Sequence, residues 1–161
     1  MGKGSSRASA AVIGVGNEFR GDDAVGIVAA RELRRILPDQ TPVIELSGEG
    51  ASLIEAFGAA DFIVIIDAVR SGAPPGTIHR IDPRTENIPS FFKPGSSHAF
   101  GVSEAIETTK LLGRLPSRVI LFGIEGESFD PGETLSRFVR RSLPSLVDLI
   151  LRELNTPASP H

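Results

Sequence analysis

At 161 residues, 40% hydrophobic and 23% charged, the chain fits one ordinary domain around a single core, with little room for a second. A formal net charge of -3, with no basic run longer than Arg34-Arg35 or Arg140-Arg141, leaves no broad field for a phosphate backbone, so nucleic acid is not an expected partner. The lack of cysteine excludes disulfides, thiolate metal sites and a cysteine nucleophile, and no apolar run approaches the length of a membrane span.

The Gly/Ser-rich residues 1–9 read as a flexible start, residues 10–154 as the domain and residues 155–161 as a flexible tail. Ala10 to Val15 is a short apolar run that passes into glycines, which suits a buried strand and not a leader peptide. Val25, Val28, Ala29, Leu33 and Ile36 recur at helical spacing, with Asp22 as the expected cap, Arg34-Arg35 near the end and Pro38 as the stop. Val43 to Leu46 reads as a second strand, Ser47 to Gly50 as a loop and Ala51 to Phe57 as a short helix. Phe62 to Ile66 is an uninterrupted β-branched and aromatic run, the pattern of a strand buried on both faces of a parallel sheet.

Ser71 to Gly76 is turn-rich and leads, through a reversal, to a strand at Thr77 to Ile81. Pro83, Pro89 and Pro94 punctuate a long loop over residues 82–97, and loops of that length in compact domains often carry function. Gly101 to Leu112 has helical spacing, Arg118 to Gly123 reads as a buried strand, and Thr134 to Leu154 closes with an amphipathic helix that Pro144 should kink or break. Strands alternating with helices imply right-handed crossovers and a mostly parallel sheet covered on both faces. In such folds ligands sit beyond the carboxyl ends of the strands, which selects the loops after Val15, Leu46 and Gly123, together with Asp67.

Asp67 ends the apolar run of Phe62 to Ile66, where a carboxylate is costly unless it is paired, hydrogen-bonded or metal-bound. The glycine-rich turn before Asp22-Asp23 is no phosphate loop: it lacks Lys-Ser/Thr after the last glycine, and Phe19 stands where the dinucleotide fingerprint needs a small residue. Two acids at a helix start would repel a phosphate, so the turn suits a cation or a backbone contact, with helix capping as the plainer alternative. Of the three histidines, His98 lies at the end of the long loop, whereas His79 falls inside a strand and His161 is terminal. Asp23, Asp67 and His98 together form an O,O,N set that suits Zn, Ni, Fe or Mn, and spacing does not choose among them. No Gly-x-Ser-x-Gly elbow is present for a serine hydrolase, while paired carboxylates remain competent for acid–base work.

Gly14-Val15-Gly16-Asn17 through Gly21-Asp22-Asp23-Ala24-Val25-Gly26, Asp67-Ala68 followed by Pro75-Gly76-Thr77, and Ser97-His98 opening a helix resemble the hydrogenase maturation proteases, in order and spacing from about Val12 to Leu151. The resemblance implies a three-layer α/β/α fold with a five-stranded, mostly parallel twisted sheet between helices. It implies an endopeptidase that removes the C-terminal extension of a [NiFe]-hydrogenase large-subunit precursor once nickel has been inserted, the nickel arriving with the precursor. The family's three metal-contacting positions fall on Asp23, Asp67 and His98. Where many members have an Asp followed by two glycines after the second strand, this chain has Ser47-Gly48-Glu49-Gly50, which makes Gly48, Glu49 and Gly50 candidates for precursor selection. The pattern resembles the branch associated with cytosolic, bidirectional or NAD-linked hydrogenases, which implies a cytoplasmic protein, and a monomer is the expected state. A nickel-checking docking protein that does not cut is the alternative, and a small-nucleotide-binding domain is a second rival that rests on the glycine turn alone.

Overall fold

A computed structural model describes residues 7–92 and 101–157 of the protein. Five strands, β1 (Ala8–Val15), β2 (Val43–Leu46), β3 (Ala60–Val69), β4 (Ile78–Ile81) and β5 (Arg118–Glu125), form one sheet in the order β2-β1-β3-β5-β4. All neighbours pair in parallel except β4, which runs antiparallel to β5 at the edge. The turn-rich bridge before Ile78 thus reverses the chain as its composition implies.

Strand periodicity divides the core in two. Ile13, Ile63, Ile65 and Leu121 point to the face covered by α2 (Gly50–Ala56) and α3 (Val102–Leu111). Val12, Val64, Ile66 and Phe122 point to the face covered by α1 (Val25–Ile36) and α4 (Arg137–Asn155). The run Ile63 to Ile66 is wholly excluded from solvent, and burying each such side chain contributes roughly 1.5–3 kcal/mol. The expected three-layer α/β/α fold, with helices on both faces of a five-stranded sheet, is therefore what the chain adopts.

Several boundaries move. β1 starts at Ala8, so residues 8 and 9 lie in the sheet and not in a flexible start; Arg7 is tied down by donating to the carbonyls of Phe57 and Ala60 at 2.9 and 3.1 Å. β3 does not end before Asp67 but runs to Val69, because Asp67, Ala68 and Val69 pair with Gly123, Ile124 and Glu125. α4 continues through Pro144 to Asn155 as one helix. Pro144 and Arg140 both lie on its exposed side, where water can satisfy the carbonyl that the missing proline N–H leaves open.

The topology fixes the site. β1 lies between β2 and β3, so the connection through α1 leaves β1 toward one side and the connection through α2 crosses back to the other, opening a crevice at the carboxyl ends of β1 and β3. Gly26 in the first turn of α1 lets the helix sit directly on that crevice: a Cβ there would meet the carbonyl oxygens of Val15 at 2.3 Å and Ile66 at 2.5 Å.

Candidate active site

Asp23 and Asp67 line one cavity of about 240 Å³ at the crevice, together with Val15 and Gly16 from the end of β1, Ser47 and Gly48 after β2, Ala68, Phe91, Phe92, Gly101 and Val102. Asp67 continues the row Ile63, Ile65, and so faces α3. Asp23 sits in a 3-10 turn, Gly21–Ala24, directly before α1. Gly16 sets its position: at φ 149°, a Cβ on Gly16 would lie 1.9 Å from the Asp23 carbonyl oxygen, so only glycine lets the turn close against the strand end. The Asn17 amide donates to Asp23 Oδ2 at 3.1 Å.

The adjacent Asp22 has a different task. It is fully buried, accepting the Ser136 amide on Oδ1 at 2.7 Å and the amides of Glu127 and Ser128 on Oδ2 at 2.7 and 3.2 Å. The expectation that Asp22 caps α1 is corrected: Ala24 is the N-cap residue, and the Asp22 carboxylate instead clamps the loop between β5 and α4.

Burial pushes the Asp67 carboxyl up to about 7, the negative charge of Asp23 adds to the shift, and a hydrogen bond from the Ala68 amide opposes it. Burial also raises Asp23, against the Asn17 amide and the charge of Arg20. Aromatic rings supply part of the low-dielectric surroundings. Phe92 packs over Gly123, the β5 partner of Asp67, where a Cβ would come within 2.5 Å of its Cζ, and Phe91 stacks between Phe92 and His79 with ring centroids 5.1 and 4.8 Å apart. Two carboxylates facing one cavity, one half-protonated near neutral pH, can share a proton as an acid–base pair or release it to a divalent cation.

Of the other residues singled out in the sequence, Gly48 reaches the cavity, Glu49 is exposed as the N-cap residue of α2, and Gly50 is buried in that helix's first turn. His98 lies outside the described residues, and so does the end of the long loop that leads to it. Within that loop, a 3-10 turn at Ser90–Phe92 supplies two cavity walls, Phe91 and Phe92, that the sequence did not single out. A further buried carboxylate, Glu125 at the end of β5, also lacked a signal; it accepts the amides of Ser71 and Gly72 and the Ser71 hydroxyl at 2.8, 2.9 and 2.8 Å, fixing the turn after β3.

The family model described as hydrogenase maturation protease (HycI) matches residues 25–153. The hydrogenase 2 maturation protease of Escherichia coli (strain K12) is 32% identical over 147 residues, covering 89% of this chain and 88% of the relative. The chain belongs to the hydrogenase maturation protease family. Among other relatives, the hydrogenase expression/formation protein HupD of Thiocapsa roseopersicina is 27% identical, over 93% of this chain and 75% of that protein. The hydrogenase maturating endopeptidase HybD from E. coli superposes with a TM-score of 0.78 at 25% identity, over 91% of each chain. An endopeptidase from Escherichia coli solved in solution superposes at 0.76 with 28% identity, over 94% of this chain and 97% of the other. The protein is thus a maturation protease in family and in fold. Among the described residues no helix is long and apolar enough to cross a membrane.

Proposed function

We propose that this endopeptidase removes the C-terminal extension of a nickel-loaded [NiFe]-hydrogenase large-subunit precursor, and that Asp23 and Asp67 are the groups that meet the precursor's nickel, with His98 as the third donor read from the sequence. The observation that carries this reading is the placement of two carboxylates, Asp23 from the turn before α1 and Asp67 from the carboxyl-terminal part of β3, in one cavity at the sheet's switch point. A divalent cation relieves what is otherwise an unfavourable arrangement, because its charge offsets both the burial of Asp67 and the repulsion from Asp23. The metal is then substrate, not a resident cofactor, and recognition of nickel is tied to the place where the peptide is presented.

The raised Asp67 favours a second reading, in which the pair acts on the peptide without touching metal. Hydrolysis requires a proton to leave the attacking water and another to reach the departing nitrogen. An ionised Asp23 and a protonated Asp67 are equipped for those two roles. Incubating the purified protein with nickel-loaded and nickel-free precursor, and weighing the products, tests both readings. Cleavage of the loaded form alone supports the metal reading, equal cleavage of both supports the acid–base pair, and an unchanged mass under conditions that support binding leaves a docking protein. The cytoplasm is the proposed place of action, as the sequence resemblance implies.

A further inference from the structure

The active-site cavity does not end at Asp67. Ala68 and Phe91 are shared with a larger chamber of about 820 Å³ whose walls include Arg20, Arg70 and Phe129. The Arg70 guanidinium lies 4.4 Å from the centroid of the Phe129 ring, so one of its faces is occupied while its N–H edge stays open for a planar, bidentate acceptor. Among the described residues, neither Arg20 nor Arg70 has a carboxylate within salt-bridge distance. One acid, Asp130, shares the chamber wall, 3.3 Å from the Ser128 hydroxyl, whose shorter hydrogen bond is donated to Glu133 at 2.5 Å.

The chamber wall carries two arginines against one acid, whereas the cavity carries two carboxylates, with the Arg20 charge also reaching Asp23. We propose that the chamber is a subsite for a carboxylate of the precursor segment on the far side of the scissile bond, held by Arg70 and Arg20. This rests on the proposed proteolytic reading of the Asp23 and Asp67 cavity and adds a register to it. An acidic group placed beside Asp67 is repelled, whereas one placed in the chamber is paired, and the difference between the two fixes which bond lies over the carboxylates. The carboxylate is supplied either by an acidic side chain of the extension or by the chain's own terminal carboxylate.

The test uses the full protein and nickel-loaded precursor. In the Arg70→Gln variant, KM rises about tenfold while kcat stays within about twofold, because Arg70 positions the segment and does not touch the reacting atoms. Arg20→Gln is added in a double variant for the binding measurements, since the Arg20 charge also acts on Asp23. The same loss appears in the dissociation constant of the precursor measured in an Asp67→Asn background, where no cleavage is needed, and Arg70→Lys recovers part of it. Precursors with the extension's Asp and Glu changed to Asn and Gln, or with two glycines added to shift the terminus, identify the source: the one that weakens binding to the wild-type arginines and makes the double variant no worse carries the partner. A wild-type KM in folded Arg70→Gln and a wild-type dissociation constant in the folded double variant overturn the subsite, as does an arginine effect that neither precursor change reproduces. Failure of the wild-type protein to cut loaded precursor overturns the proteolytic reading separately, since the binding measurement stands without it.

Discussion

Asp22 Oδ1 accepts the backbone amide of Ser136 at 2.7 Å, joining the start of α1 to the residue before α4, while the carboxylate of the very next residue, Asp23, lines the cavity. Two adjacent acids are thereby divided between holding the loop before α4 and facing the cavity. Asp22→Asn puts an amide NH₂ against at least one of the backbone donors from Glu127, Ser128 and Ser136, and should cost about 2–4 kcal/mol, seen as a Tm lowered by roughly 5–15 °C. Asp23→Asn should leave Tm within a few degrees and abolish processing. Thermal melts and a processing assay on both variants check the division, and a swap of the two phenotypes would refute it.

The Asp67 carboxyl makes stability pH-dependent. Its folded pKa, about 7, lies above the 3.8 of the unfolded chain, so its contribution is full below the lower value and is lost as pH rises through the higher one. Asparagine has no such loss. In metal-free protein, Asp67→Asn should therefore gain on the wild type between pH 5 and pH 8, by roughly 1–2 kcal/mol after allowing for solvent at a partly exposed group. Paired melts at several pH values measure it, and parallel curves would contradict the coupling of Asp67 to burial and to Asp23.

Glu125 behaves oppositely. Burial pushes its carboxyl up, but the Ser71 hydroxyl and amide, the Gly72 amide and His79 outweigh burial and hold it below the usual range. Stability from this group is present above about pH 4.5 and is lost as pH falls through the lowered folded value. Glu125→Gln should lower stability by about 1–3 kcal/mol at pH 7, with the difference from wild type shrinking in acid. Denaturant midpoints at pH 7 and pH 3.5 check it.

Gly16→Ala places a methyl group where the Asp23 carbonyl oxygen sits 1.9 Å away, at a φ of 149° that L residues rarely adopt. The turn must move, and Asp23 with it. The expected outcome is a folded but destabilised protein with processing reduced by more than about tenfold, since misplacement near 1 Å is enough to cost a hundredfold. Wild-type processing in a stable Gly16→Ala protein would mean that the turn's position does not matter.

Much of this arrangement is legible in the residues. Phe62 to Ile66 and Arg118 to Gly123 announce central strands because they are apolar on both faces, and the turn at Ser71 to Gly76 announces the reversal that makes β4 antiparallel. Asp67 misleads as a strand end, because the pairing that extends β3 to Val69 comes from β5, far along the chain. Nor does local pattern separate Asp22 from Asp23: that choice is made by amides at Glu127, Ser128 and Ser136, which only the folded chain brings near. Phe91 and Phe92 look like loop aromatics until Gly123 is seen to make room for a ring beside Asp67.

The cavity shared by Asp23 and Asp67 is where we propose that the precursor is cut. The most direct measurement is the rate at which the C-terminal fragment is released from nickel-loaded precursor by wild-type protein and by Asp67→Asn, with precursor binding measured alongside. The rate should fall by at least about a hundredfold with the folded variant still binding precursor. Release at the wild-type rate by a folded Asp67→Asn protein would contradict the proposal.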